Sequence, residues 1–470
     1  MSKSLKVALV GLVVLVVLVL GGHYVSGLTF KSKYLAGVEW ANQEFRKNPS
    51  TRDLKVNIQV ENYEAGIFGA TAQMKINFVA GSGTPVTLVF KEEIRHGLAA
   101  GFALGSVRSE LEVPQEVAAG LRAVFGEDPL AGKSPLVIDA VIGWTGNASG
   151  RLESPRFTGK AGETEIKWEG ISGEYTSTGS VRSGSFSGVW SLDAPGLSVQ
   201  DGYRHVEVGH LRGKGDSARA NGRSFYTGLS EASVDKFIYK EAEKNLAVEN
   251  LKISTDVRET DGAVDLVAKY EIGKILANDT TIDAASLTVA FEKLDADALD
   301  ALFASFESAL PGEDSFETFS RVALQHRAAI LRRKPVLAIR DSSVKLGAGS
   351  ILLNARLSYA GENPEQFNPQ TDLVLDADLG VTRALLVQEF SKKVREELTE
   401  EQGGTEEGAA LEQLVASGVE QKIAELTETG YVADKDGKLT IALHMQGETV
   451  TLNGKPVEGN PLSALGSLPF

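Results

Sequence analysis

The chain of 470 residues has no cysteine. It can therefore form neither disulfides nor thiolate metal sites, and its folded part must be held by an apolar core, which a chain of this length readily builds. It also lacks a positive balance: 48 Lys and Arg against 63 Asp and Glu give a formal net charge of −15. Such a surface repels nucleic acid and anionic lipid head groups at long range, so nucleic acid is excluded as a partner. Beyond residue 30 there is no second long apolar run, and no repeat of fixed period that would mark a solenoid.

The one long apolar run comes first. From Val7 to Gly22 the chain is almost all Val and Leu, and the uncharged stretch continues through His23 to Phe30. At about 1.5 Å per residue it is long enough to span a bilayer. Lys3 and Lys6 precede it, and the run is at the long end for a cleaved signal, so an uncleaved membrane anchor centred on Val7, Leu12, Val16 and Leu20 is expected. Val25-Ser26-Gly27 satisfies a small-residue cleavage rule and keeps a cut form as the alternative. The short N-terminal tail favours export of the large remainder.

After the anchor, Tyr34, Val38, Ala41 and Phe45 have helical spacing, and Asn48-Pro49-Ser50 ends that helix. The period then becomes two. Val56, Ile58 and Val60 alternate with polar residues, as do Val86, Leu88 and Phe90. Similar runs occur at 136–144, 166–171, 234–239, 287–291 and 373–379. The clearest pair alternates from Leu251 to Val257 and from Val264 to Ile272 around Asp261-Gly262, the strongest short-range signal for a β-hairpin. Helical stripes return at Leu299, Leu302, Phe303, Phe306 and Leu310, then at Phe316, Phe319, Ala323 and Ile330. Two more run from Val387 to Leu398 and from Leu411 to Leu426, joined by the acidic loop 400–408, and a hairpin over 438–457 closes the chain.

The candidates for chemistry are weak. The stretch 126–134 resembles a phosphate-binding loop but has one residue too many between its glycines and no preceding strand. Gly215-Asp216-Ser217 lacks the flanking glycine of a nucleophile elbow and reads as a polar hairpin turn. His205 and Glu207 share a strand face, with His210 of opposite parity, which leaves two ligands where a metal needs more. Asp372, Asp376 and Asp378 share a face without the turn and carbonyl ligands of a calcium site. His96, His326 and His444 are isolated. Arg332-Arg333-Lys334 complements the end of a helix, and the Phe303, Phe306, Phe316 and Phe319 stripe reads as core. No catalytic, cofactor or metal residue is assigned, and a non-catalytic protein without cofactor is expected.

Taken in order along the chain, the short anchor, "NYEAGIFGATAQMKINF", "IRHGLAAGFAL", "NLKISTDVRETDGAVDLVAKYEIG" and "GYVADKDGKLTIALHMQGETVTLNGKPV" resemble the YdgA-like family of Gram-negative bacterial envelope proteins, a family of unknown function. Relatives tend to carry proline after the His-Gly pair, where this chain has Leu98. The resemblance implies an inner-membrane protein with its bulk in the periplasm, and carries over no catalytic residues.

The expected fold is mainly β with helices (α+β): a large curved antiparallel β assembly capped by helices and preceded by one transmembrane helix. Its expected parts are an anchor over 1–30, a mainly β periplasmic region over 31–295, and a helix-rich region over 296–470 packed on the same core. Two functions fit. Either a partly open apolar face holds or passes a lipid or other hydrophobic ligand, or a filled one serves as a scaffold that forms a homo-oligomer or binds another envelope protein.

Overall fold

The computed structural model describes residues 25–457, except for 44, 47–53, 81–82, 102, 116–117, 120–121, 123–129, 181–184, 221, 279, 309–314, 348, 403–408 and 429. The expected anchor residues Val7, Leu12, Val16 and Leu20 thus lie outside the described residues. The described chain is mainly antiparallel β with a few helices, and forms two compact units. One unit runs to Ser230 and adds Asp300–Leu324; the other comprises Glu231–Leu299 and the chain from Gln325 onward.

In the first unit, Asn57–Ala65, Gly69–Ala80, Thr84–His96, Gly105–Leu111, Val137–Ile142 and Ala148–Ser154 pair in sequence order. Ala148–Ser154 then pairs with Ile171–Ser180, which pairs with Ser185–Ala194 and through it with Leu211–Arg219. The intervening strands Phe157–Ala161, Thr164–Trp168, Leu197–Asp201 and Arg204–Val208 pair with one another in that order: the first with the second, the second with the third, the third with the fourth. The apolar run at 166–171 is therefore divided: Trp168 ends one strand, Gly170 turns at φ 89°, and Ile171 opens the next.

A helix over 25–46 covers the start of this sheet. Ser26, Gly27, Phe30, Tyr34, Val38, Ala41, Asn42 and Phe45 recur at three- and four-residue intervals, so one stripe faces inward. The stripe ends in a polar clip. Asn42 accepts the Ile58 backbone N–H at 2.7 Å and donates to the Ile58 carbonyl at 2.8 Å, taking the place of a neighbouring strand at the edge of Asn57–Ala65.

In the second unit, Lys244–Thr260, Ala263–Ile272, Ala284–Asp295, Val336–Leu346, Gly349–Tyr359, Leu373–Thr382 and Lys438–Gln446 pair consecutively. The helices Arg383–Gln402 and Ala409–Glu428 pack on it as a hairpin. Phe390, Val394, Val415, Val419, Ile423 and Leu426 bury against Leu439, Ile441 and Leu452. The expected single helix over 316–330 is instead two, Ser315–Gln325 and Arg327–Leu331, separated at His326.

The expected hairpin holds in register, with Thr260 opposite Ala263 and Val257 opposite Leu266. Asp261 at φ 51° and Gly262 at φ 72° are both left-handed, as a type I′ turn requires. Gly262→Val should destabilise the unit by about 1–3 kcal/mol, because a β-branched residue resists that conformation and a Cβ there would meet the Arg333 guanidinium at 2.9 Å. Urea unfolding checks it; an unchanged midpoint would contradict the assignment.

Candidate functional site

The register of the first unit places residues from nine strands in rows. One row reads Ala65, Ala70, Ile94, Val107, Ala140, Gly150, Tyr175, Trp190 and Gly215. The next on the same face reads Ala72, Glu92, Ser109, Ile138, Leu152, Gly173, Leu192 and Gly213. Apart from Glu92, Ser109, the tyrosine hydroxyl and the Trp190 indole N–H, neither row carries a polar side-chain group. Backbone N–H and C=O groups in the middle of such a sheet are used up in its ladders, so this face offers apolar contact and few hydrogen bonds.

The opposite face is the reverse. Between the two apolar rows lies Glu93, Arg108, Asp139, Arg151, Glu174, Ser191 and Lys214, with charges alternating across the first five strands. Arg108 bonds Glu110 at 2.8 Å and Asp139 at 3.1 Å, and Arg151 bonds Glu153. Exposed pairs of this kind add little stability, but opposite charges on neighbouring strands favour this register over a slip that would turn every apolar side chain outward.

Glycine has a defined place on the apolar face. A Cβ on Gly105 would clash with the Phe30 ring, one on Gly150 with Tyr175, and those on Gly213 and Gly215 would each meet Trp190 at 2.8 Å. Aromatic rings therefore lie flat over bare backbone and restore the apolar contact that glycine lacks. This pattern explains why Gly215-Asp216-Ser217, expected as a turn, lies inside the strand Leu211–Arg219; Asp216 accepts the Leu229 N–H there.

Cover over the face is graded. Under the helix, Ala70, Ala72, Ile94 and Val107 are buried around Phe30 and Leu104. Further along, Ile138, Ala140, Ile142 and Leu152 are half-buried, and Tyr175 and Trp190 are 39% and 37% exposed. The first unit thus has an apolar surface that its own helix covers at one end.

Beneath the helix sits a buried polar group. Glu92 is 1% exposed, with its Oε2 accepting the Tyr34 hydroxyl at 2.5 Å and its Oε1 accepting Ser109 Oγ at 3.1 Å. Burial raises the Glu92 pKa above the usual carboxylate range, and the two hydrogen bonds pull it only partly back. Burial, reinforced by Glu92, holds the Tyr34 and Tyr63 hydroxyls above their ordinary value. His96 is buried on the same strand face, its ring under the Cα of Gly27, where an added Cβ would lie 2.8 Å from it.

The other sequence candidates are placed as follows. His205 Nε2 lies 3.6 Å from Glu207, while His210 turns to Asp193 at 2.6 Å and to Arg212 at 2.7 Å. Asp372 is not on the strand: it closes the helical turn Pro369–Asp372 and accepts the Asn368 N–H. Asp376 instead meets His444 across the sheet at 2.7 Å. Ser134 donates to the carbonyls of Leu111 and Leu136, so it ties a loop, and 126–129 lie outside the described residues. Arg332-Arg333-Lys334 falls just past the helix Arg327–Leu331, and Arg333 reaches Asp295 at 3.2 Å. Asp295 caps the following helix through the N–H groups of Asp297 and Ala298, and with Arg333 these bonds hold its carboxyl below the usual range despite burial. Phe303 is exposed beside Phe225, while the side chains of Phe306, Phe316 and Phe319 lie outside the description. Among the described residues no three His, Asp or Glu converge as metal ligands would. The charged face carries a cavity of about 580 Å³ lined by Arg108, Lys133, Glu153, Glu169 and Asp193 among others.

Residues 1–459 match a family described as a bacterial protein of unknown function, DUF945. The chain belongs to that family. No curated protein and no solved structure matches it. Among its described residues no helix is long and apolar enough to cross a membrane.

Proposed function

We propose that this chain is a bacterial envelope protein of the YdgA-like kind, anchored in the inner membrane by the run around Val7, Leu12, Val16 and Leu20, with its bulk in the periplasm. There it holds or passes acyl chains on the apolar sheet face of its first unit, without catalysis. The single observation that carries the reading is the pair of apolar rows crossing nine strands while, among the described residues, the core under the helix draws on the first five of them. A face of Ala, Gly, Leu and flat aromatic rings suits a linear hydrocarbon, which needs no hydrogen-bond partner. In the second unit the helical hairpin packs a core over the last strands of the sheet, around Leu379, Leu439, Ile441 and Leu452.

The scaffold alternative draws on exposed strand edges. Asn42 weakens it on one side by occupying the backbone of Ile58.

Full-length protein, purified in detergent and exchanged extensively, should retain lipid detectable by mass spectrometry. Leu192→Asp places a charge in the uncovered part of the face and should cut retention about tenfold or more, equivalent to ~1.4 kcal/mol, with the circular dichroism spectrum unchanged. Wild-type protein free of lipid, or equal retention by the variant, would overturn the proposal.

A further inference from the structure

The antiparallel order of the first unit brings three connections to one end of the sheet: 66–68 after Asn57–Ala65, 97–104 after Thr84–His96, and 143–147 after Val137–Ile142. The N-terminal part of the helix over 25–46 lies at the same end, because Gly27 sits on His96 and Phe30 on Gly105. The first connection is tied to the end of the strand Thr84–His96, where the His96 N–H donates to the Phe68 carbonyl, and Lys33 Nζ donates to the Trp144 carbonyl at 3.4 Å.

This end is apolar where sheet ends are usually polar. Val25, Leu28, Ile67, Phe68 and Trp144 are each more than half exposed. The three connections read Gly-Ile-Phe, Gly-Leu-Ala-Ala-Gly-Phe-Ala-Leu and Gly-Trp-Thr-Gly-Asn, with no Asp or Glu. Lys31, above the Tyr63 ring at 4.5 Å, and Lys33 supply cations beside them. At the other end, the connection 112–136 contains Glu112, Glu116, Glu127 and Asp128. Exposed Trp and Phe with neighbouring lysines are the composition of a membrane–water interface.

The chain leading into this end says what covers it. The Val- and Leu-rich part of the uncharged run ends at Gly22, four residues before Ser26, which is 1% exposed. Four residues reach at most about 14 Å even when fully extended, so a bilayer holding that run lies against this end of the sheet and no other.

We propose that this end of the first unit is a bilayer-docking surface, in which Val25, Leu28, Ile67, Phe68 and Trp144 seat at the boundary between head groups and acyl chains. In combination with the acyl-chain reading, on which this clause rests, the uncovered rows then meet the bilayer at their Ile142 and Ala148 end, where a lipid could pass from membrane to sheet without crossing water.

The absence of native cysteine makes the test direct. Ile67→Cys and Trp144→Cys, with Lys133→Cys at the other end as reference, are labelled with an environment-sensitive fluorophore in the full chain. The labelled proteins are reconstituted into phosphatidylcholine vesicles with and without lipid carrying a nitroxide near the head group. Labels at 67 and 144 should show blue-shifted emission and lose intensity to the nitroxide lipid, while the label at 133 does neither. Water-like emission at all three positions would overturn the docking surface. So would a blue shift at 67 and 144 that the nitroxide lipid does not quench, since that assigns the tips to a second copy or another protein. Lipid retention measured on the same unlabelled preparations separates the two ideas: tips in water with lipid retained sinks only the docking surface, and tips in lipid with none retained sinks only the acyl-chain reading.

Discussion

Phe30→Ala should release the helix over 25–46 from the sheet and cost the first unit about 3–5 kcal/mol, the range for deleting a buried phenyl ring. Phe30 is fully buried, stacks on Tyr34 at a centroid distance of 5.9 Å, and packs among Ala70, Ala72, Ile94, Leu104 and Val107. Its ring lies over Gly105, where backbone is the floor of the site. A hydrogen-bonded sheet cannot move up to fill the gap, so the cavity persists and the loss falls at the high end. Leu35→Ala, on the exposed side of the same helix, should change stability by no more than about 0.5 kcal/mol. Urea unfolding gives the magnitudes, and hydrogen exchange over 25–46 shows whether the helix is what lets go. A loss below about 1 kcal/mol with protection unchanged would mean that the ring does not hold the helix down.

The second large effect belongs to Glu92. Its raised pKa means that the folded unit binds this proton more tightly than the unfolded chain does. The stabilisation is therefore fully present below the ordinary carboxylate range, declines as pH rises through that range, and is lost once pH passes the raised value in the folded state. Each unit by which the pKa is raised corresponds to about 1.4 kcal/mol of stability that acid restores. The titratable groups facing Glu92 are Tyr34 from the helix and Tyr63 from the first strand. Both tyrosines are held neutral across this range. Glu92→Gln keeps the shape and an acceptor for Tyr34 while removing the charge. It should make the unit more stable than wild type at neutral pH and remove the acid-side slope. Tyr34→Phe should do the reverse, withdrawing a donor from a buried carboxylate at a cost of about 1–3 kcal/mol. Parallel urea midpoints from pH 4 to 8 read both; a wild-type slope of opposite sign, or one that survives in Glu92→Gln, would contradict this account of the carboxylate.

Much of the fold could be read in the sequence because local patterns determine local structure. The Asp261-Gly262 hairpin, the helical stripes at 387–398 and 411–426, and the alternation at Val56 to Val60 all rest on neighbouring residues. The site was harder because it depends on pairings between distant strands. Ala148–Ser154 skips two strands to pair with Ile171–Ser180, and only that jump makes the apolar rows continuous. Strands such as Leu211–Arg219 are rich in glycine, which alone disfavours a strand; the missing contact comes from Trp190 on the neighbouring strand, which no local window contains. Glu92 and His96 share strand parity with Phe90 and Ile94, and that could have marked them as inward-facing. Flanked by Lys91, Glu93 and Arg95, they read instead as part of a polar run. The inward stripe of the first helix begins at Ser26, inside the stretch assigned to the anchor, which hid Phe30 from the reading of the core.

The central claim is that hydrocarbon lies on one face of this sheet and not on the other. Leu192 and its neighbour Ser191 point to opposite faces of a single strand, Leu192 in an apolar row and Ser191 in the charged one. A photo-crosslinking amino acid placed at each position in turn, in the full chain in living bacteria, tests the claim within one residue of displacement. The account predicts lipid adducts by mass spectrometry from position 192 and none from position 191. Adducts from neither, or equally from both, would contradict it.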